Sequence, residues 1–115
     1  MRLPQLGDLL YCSWGYDQTN VDWYQVLRVS KAFVWLRRIE GKTRGNLRRG
    51  DHTTTPQPGV WSSCSNPKEP LCSEKGARRR FEILDDGYKV AIHKHYQRAY
   101  LWDGRPMYQT GMLGH

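Results

Sequence analysis

The sequence predicts an all-β fold: a small barrel of the SH3-like or OB-like kind, built from about six short strands and carrying a long irregular central loop. Three observations lead there. Short runs of β-branched and aromatic residues alternate with polar ones, turn-forming residues separate the runs, and no window carries a helical period. A length of 115 residues allows one domain over 1–115 with a single modest core, which excludes large layered catalytic scaffolds. Five Trp, seven Tyr and two Phe are too many aromatics for a disordered chain.

The first strand runs from Asp8 to Trp14, entered through Gly7. Gly15 to Asn20 supplies a polar connection, and the second strand follows from Val21 to Val29. Alternation places Val21, Trp23, Gln25, Leu27 and Val29 on one face and Asp22, Tyr24, Val26 and Arg28 on the other, with one face expected to be the core side. Ser30-Lys31 is short enough for a hairpin into a third strand, Ala32 to Ile39, which is nearly all apolar before it turns basic, so its beginning is expected to be buried on both faces. From Glu40 to about Lys75 the periodicity stops. Pro56, Pro58, Pro67 and Pro70 lie here among Gly, Ser, Thr and Asn, so a loop insertion at about 40–76 is expected, with Val60-Trp61 as its anchor on the barrel. Strands resume at Arg78 to Leu84. Asp85-Asp86-Gly87 is a hairpin signal leading into Tyr88 to Lys94. Gln97 to Trp102, the turn Asp103-Gly104-Arg105-Pro106 and a short strand Met107 to Thr110 complete the order.

Charge directs the functional reading. Lys and Arg number 18 against 11 Asp and Glu, a formal net charge of +7, which points to polyanionic partners and excludes an acidic DNA mimic. Much of the excess is local: Arg37, Arg38, Lys42, Arg44, Arg48 and Arg49 lie on a Gly-punctuated segment that can follow a phosphate backbone. Arg78, Arg79 and Arg80, with Lys89, Lys94 and Arg98, extend that surface. Tyr16 in a polar loop and Tyr96 beside His95 are the aromatic residues best placed to stack on bases, whereas most strand aromatics belong to the core.

The run Ser13-Trp14-Gly15-Tyr16-Asp17-Gln18-Thr19-Asn20, with Tyr24-Gln25-Val26 and Val34-Trp35-Leu36-Arg37, resembles a family of small proteins of bacteriophages and other mobile elements. The resemblance covers about Gly7 to Ile39 and, more weakly, Ala99 to Gly104. It implies a phage or plasmid origin and transfers no catalytic residue. Within the motif, Asp17 and Asn20 are suited to bracing a loop through side-chain to backbone hydrogen bonds.

Other chemistry has less support. Cys64, Cys72, His93 and His95 offer metal-ligand atoms, but the two cysteines are farther apart than the close pairs of structural zinc sites. Free thiols are the expected state, with a bridge between Cys64 and Cys72 as the oxidised alternative. No phosphate-binding loop or dinucleotide fingerprint is present, and no cofactor is expected. The first dozen residues lack the apolar region of a secretory signal and no window approaches a membrane span, so a cytoplasmic protein without membrane partners is expected. The leading reading is a non-enzymatic accessory protein of a phage or mobile element that binds nucleic acid through its basic loop and barrel face. The alternative is an inhibitor of a host defence system, of the anti-CRISPR or anti-restriction type, whose partner is a host nucleic-acid-processing protein. The third is a small nuclease dependent on His93 and His95.

Overall fold

In the computed structural model, residues 3–14, 20–46, 51–62, 70–93 and 97–110 are described; at Trp14, Asn20, 44–46, 51–52, 93 and 108–110 the description is of the backbone alone. The described residues form eight strands: β1 (Leu9–Trp14), β2 (Asn20–Val29), β3 (Phe33–Asn46), β4 (Asp51–Trp61), β5 (Ala77–Leu84), β6 (Gly87–His93), β7 (Gln97–Leu101) and β8 (Met107–Thr110). All pairings are antiparallel. Six strands close into a barrel. Each barrel strand lies beside the next in the chain, in the order β1, β2, β3, β5, β6, β7, and β7 returns to β1 through Leu10↔Leu101 and Tyr11↔Tyr100. The all-β class and the small barrel are as the sequence predicts.

The expected irregular loop at about 40–76 is corrected in its first half. The excursion from the barrel is there, but much of it is strand. β3 runs on to Asn46 and pairs with β4 from Gly41↔Pro56 to Asn46↔Asp51, and β8 then adds to β4 over Asp51–Thr54. Trp61 meets β3 again opposite Ile39, so the expected anchor is in place. A short 3-10 helix, Pro70–Cys72, precedes β5 and buries Leu71 in the barrel core. Gly76 makes the turn into β5 with φ +75°, and a Cβ there would stand 2.7 Å from the Leu36 carbonyl oxygen, so both backbone and space require glycine. Cys72 is disulfide-bonded, a correction to the expected free thiol; of the two other cysteines Cys12 is free, and Cys64 lies outside the described residues.

Two apolar clusters hold the molecule. The barrel interior contains Leu10, Cys12, Tyr24, Val26, Val34, Leu36, Tyr88, Val90, Ile92 and Ala99, all nearly inaccessible. At one end Asp8 closes it: its Oδ2 accepts from the buried Tyr88 hydroxyl at 2.6 Å and from the Gln5 amide at 2.8 Å. The second cluster lies on the outside of the barrel, where Val21, Trp23 and Ile39 pack with Leu9, Tyr11, Trp102 and Met107. Burial on β2 therefore departs from the expected single face. Tyr24 and Val26 point into the barrel, while Trp23, on the opposite face, is buried in this outer cluster under β4. Trp23 Nε1 donates to Thr54 Oγ1 at 3.0 Å, and a Cβ on Gly41 would fall 2.7 Å from the indole. The polar outer half of β3 can cross the ring only at a residue without a side chain.

Burial gives Cys12 a pH signature. Its thiol is pushed up from the ordinary 9.0 to about 11, chiefly by desolvation and then by Asp22, with the Arg98 backbone hydrogen bond opposing. The fold holds the proton more tightly than the unfolded chain does, so this contribution is complete below about pH 9 and is lost as pH rises toward 11. The denaturation midpoint is expected to fall across that window, and Cys12→Ala should flatten the fall; an unchanged slope in that variant would remove Cys12 as its source.

Candidate nucleic-acid interface

Alternation along β3 decides which side chains reach the surface. Val34 and Leu36 are fully buried, so Phe33, Trp35 and Arg37 point outward. On β5 the inward residue Ala77 sets the opposite set, Arg78 and Arg80, outward. On β6 and β7 the buried Val90 and Ala99 leave Lys89, Ala91, Arg98 and Tyr100 facing solvent.

Strand register gathers these residues into rows. Trp35 stands between Arg28 on β2 and Arg78 on β5. Phe33 stands beside Arg80, and Ala91 beside Arg98. A register shift between Val26 and Arg28 makes the first row possible: Val26 pairs with Leu36 inside, and the extra residue turns Arg28 outward opposite Trp35.

Among the described residues, three arginines lie over aromatic rings. The Arg28 guanidinium carbon is 4.8 Å from the Trp35 ring centroid, that of Arg78 is 4.8 Å from Phe33, and that of Arg37 is 4.3 Å from Trp61. Each such contact contributes about 0.5–1 kcal/mol at an exposed position and holds the guanidinium flat. The Arg37 Nε is covered and has no hydrogen-bond acceptor. Next to the stacks, Arg80, Phe81, Glu82, Lys89, Ala91 and Arg98 line an open groove of about 470 Å³. Ala91 supplies its low floor and three cations its walls. Glu82 meets Lys89 at 3.5 Å but is well exposed, and a pair of that kind is worth little.

The face has a boundary. Past Tyr100 lies a hollow of about 180 Å³ bordered by Tyr11, Asp86 and Asp103. Burial, then Asp103, Tyr100 and Asp86, raise the Tyr11 phenol above its ordinary 10.0. Cationic and acidic surfaces thus sit on neighbouring parts of the barrel wall.

The residues expected from sequence are divided by this geometry. Arg37, Arg78 and Arg80 share the outer face. Arg38 does not: its NH2 is 2.7 Å from Asp22 Oδ1 in an ion pair beside the second cluster. Arg79 turns the other way from its neighbours, and its Nε donates to the Ile92 carbonyl at 3.2 Å, so it braces β5 against β6. Lys42 is exposed on the outer half of β3, and Arg44 lies on the same strand with only its backbone described. Arg48, Arg49, Tyr16, Tyr96, Lys94 and His95 lie outside the described residues, as does most of the Ser13–Asn20 motif; His93 ends β6. Sequence reasoning did not name Arg28, Phe33 or Trp35 as binding groups, and the outward position of Phe33 and Trp35 corrects the expected burial of both faces at the start of β3. Alternation from the apolar Val34 and Leu36 carries the signal for Phe33 and Trp35, whereas Arg28 depends on the register shift.

Among the described residues, no group of three or more His, Cys, Asp or Glu side chains is placed to hold a metal ion, and no helix is long and apolar enough to cross a membrane. No family model, curated protein or solved structure matches the chain.

Proposed function

We propose that the protein is a nucleic-acid-binding accessory factor, and, on the motif resemblance at Ser13–Asn20, one encoded by a phage or mobile element acting in the host cytoplasm. The observation that carries the reading is the adjacency, through the Phe33↔Arg80 pair, of a cationic groove on β5 to β7 and two ring-stacked arginines on the outer barrel wall. Arg80, Lys89 and Arg98 offer charge to phosphates, and Arg28 and Arg78 offer planar forks fixed in place by Trp35 and Phe33. Counterion release then supplies affinity without a dedicated pocket for one base.

Fluorescence anisotropy with labelled DNA and RNA oligonucleotides at 50 and 200 mM salt tests it. Tight binding at the lower concentration and a loss of at least tenfold at the higher are expected for several phosphate contacts. Absence of binding at 50 mM would overturn the proposal and leave a protein-directed inhibitor as the better account of the same face.

A further inference from the structure

We infer that the ligand of this face is a single strand, DNA or RNA, whose unstacked bases lie on the ring-backed guanidiniums of Arg28 and Arg78 while its phosphates occupy the groove of Arg80, Lys89 and Arg98. The inference rests on the nucleic-acid reading above and adds which form of nucleic acid is bound.

Three features lead to it. First, the two rings that carry guanidiniums, Phe33 under Arg78 and Trp35 under Arg28, stand two residues apart on β3, about 6.8 Å along the strand. That is twice the ~3.4 Å rise per base of a stacked strand. A chain lying along β3 meets successive stacks only if its bases are separated, and a duplex keeps its bases closed upon one another.

Second, Arg28 and Arg78 each lay one guanidinium face on a ring while remaining exposed residues. Ring, guanidinium and base can form a three-layer stack, a mode suited to exposed bases. An arginine used only as a phosphate contact needs no ring beneath it.

Third, nothing described is shaped for the major groove. Among the described residues the only helix is the three-residue Pro70–Cys72 turn. The projecting part of the sheet is three strands wide where β8 joins β4 beside β3. Three strands span about 10 Å between outer backbones before side chains are added, whereas a groove about 12 Å wide admits a two-stranded ribbon.

The test uses the full chain and four labelled probes at 50 mM salt: a mixed-sequence 12-mer of single-stranded DNA, the same sequence as RNA, the DNA annealed to its complement, and an abasic 12-mer of equal charge. Arg28→Lys with Arg78→Lys keeps both charges and removes the planar groups. The two single strands are expected to bind more tightly than the duplex or the abasic strand. The double variant should lose about 5- to 150-fold per stacked base on the single strands and stay within about twofold on the abasic strand. A preference for either DNA or RNA identifies which single strand the face favours. Equal binding of all four probes by both proteins would overturn base stacking while leaving nucleic-acid binding intact. Binding of none at 50 mM salt would overturn both.

Discussion

Trp23→Ala is expected to destabilise the protein by about 3–5 kcal/mol, the range for removing a large buried aromatic side chain. Trp23 is 2% exposed although it lies on the outer side of the barrel wall, and it is the point where β4 is fastened to that wall. Its loss removes the hydrogen bond to Thr54 Oγ1, the edge contact to Trp102 at 5.6 Å between ring centroids, and the surface over which Gly41 passes. Thr54 is itself buried, so its hydroxyl would be left without that donor. Trp23→Phe keeps most of the apolar contact and loses the hydrogen bond, and should cost distinctly less. Urea unfolding followed by circular dichroism measures both variants. A Trp23→Ala midpoint close to that of the unaltered protein would show that the outer cluster contributes little and that the barrel stands without the β4–β8 extension.

The same tryptophan shows why part of the fold was legible in the sequence and part was not. The expected limits of β5 to β8 lie within one residue of those observed, with Asp85-Asp86-Gly87 and Asp103-Gly104-Arg105-Pro106 marking the turns before β6 and β8. Val21 to Val29 also reads as a strand, but alternation alone assigns one buried face, whereas this strand buries residues on both: Tyr24 and Val26 inside, Trp23 outside. A sequence period cannot reveal that another part of the chain will cover the second face. The outer half of β3 is the other side of that fact. Gly41, Lys42, Thr43, Arg44, Gly45 and Asn46 have no apolar alternation, and their strand character comes from pairing with β4. Pro56 and Pro58 in β4 argue against a strand by composition, yet both lie beyond Asp51–Thr54, where β8 pairs. One edge there has no ladder from β8 for a proline to interrupt.

The candidate face was legible to the same degree. Chain proximity groups Arg37 with Arg38 and Arg78 with Arg79 and Arg80, but a strand sends neighbours to opposite sides. Arg38 therefore meets Asp22, and Arg79 meets the Ile92 carbonyl, while Arg78 and Arg80 join residues far away in sequence. In the proposed function, charge composition supplies the kind of partner. Register decides which charges reach it.

That division separates two groups of basic residues by experiment. Replacing Arg80, Lys89 and Arg98 together by Ala is expected to reduce the slope of log affinity against log salt by about 2–3, since each phosphate contact contributes about 0.7 on a single strand and 0.9 on a duplex. Affinity at 50 mM salt should fall by at least tenfold, while surface substitutions of this kind normally change stability little. Lys89→Ala also releases Glu82 from its 3.5 Å partner, which adds repulsion to the loss of attraction. Arg38→Ala removes the same formal charge as any one of the three, but its guanidinium is already engaged by Asp22, so the slope should stay within the error of the unaltered protein. Arg79→Ala should lower thermal stability without changing the slope, because its hydrogen bond spans β5 and β6. If Arg38→Ala reduced the slope as much as each groove substitution did, affinity would follow net charge alone. The groove would then have no distinct role. A reduction confined to Arg80, Lys89 and Arg98 would instead place the phosphates on the outer wall of β5, β6 and β7, next to the stacked arginines that the bases require.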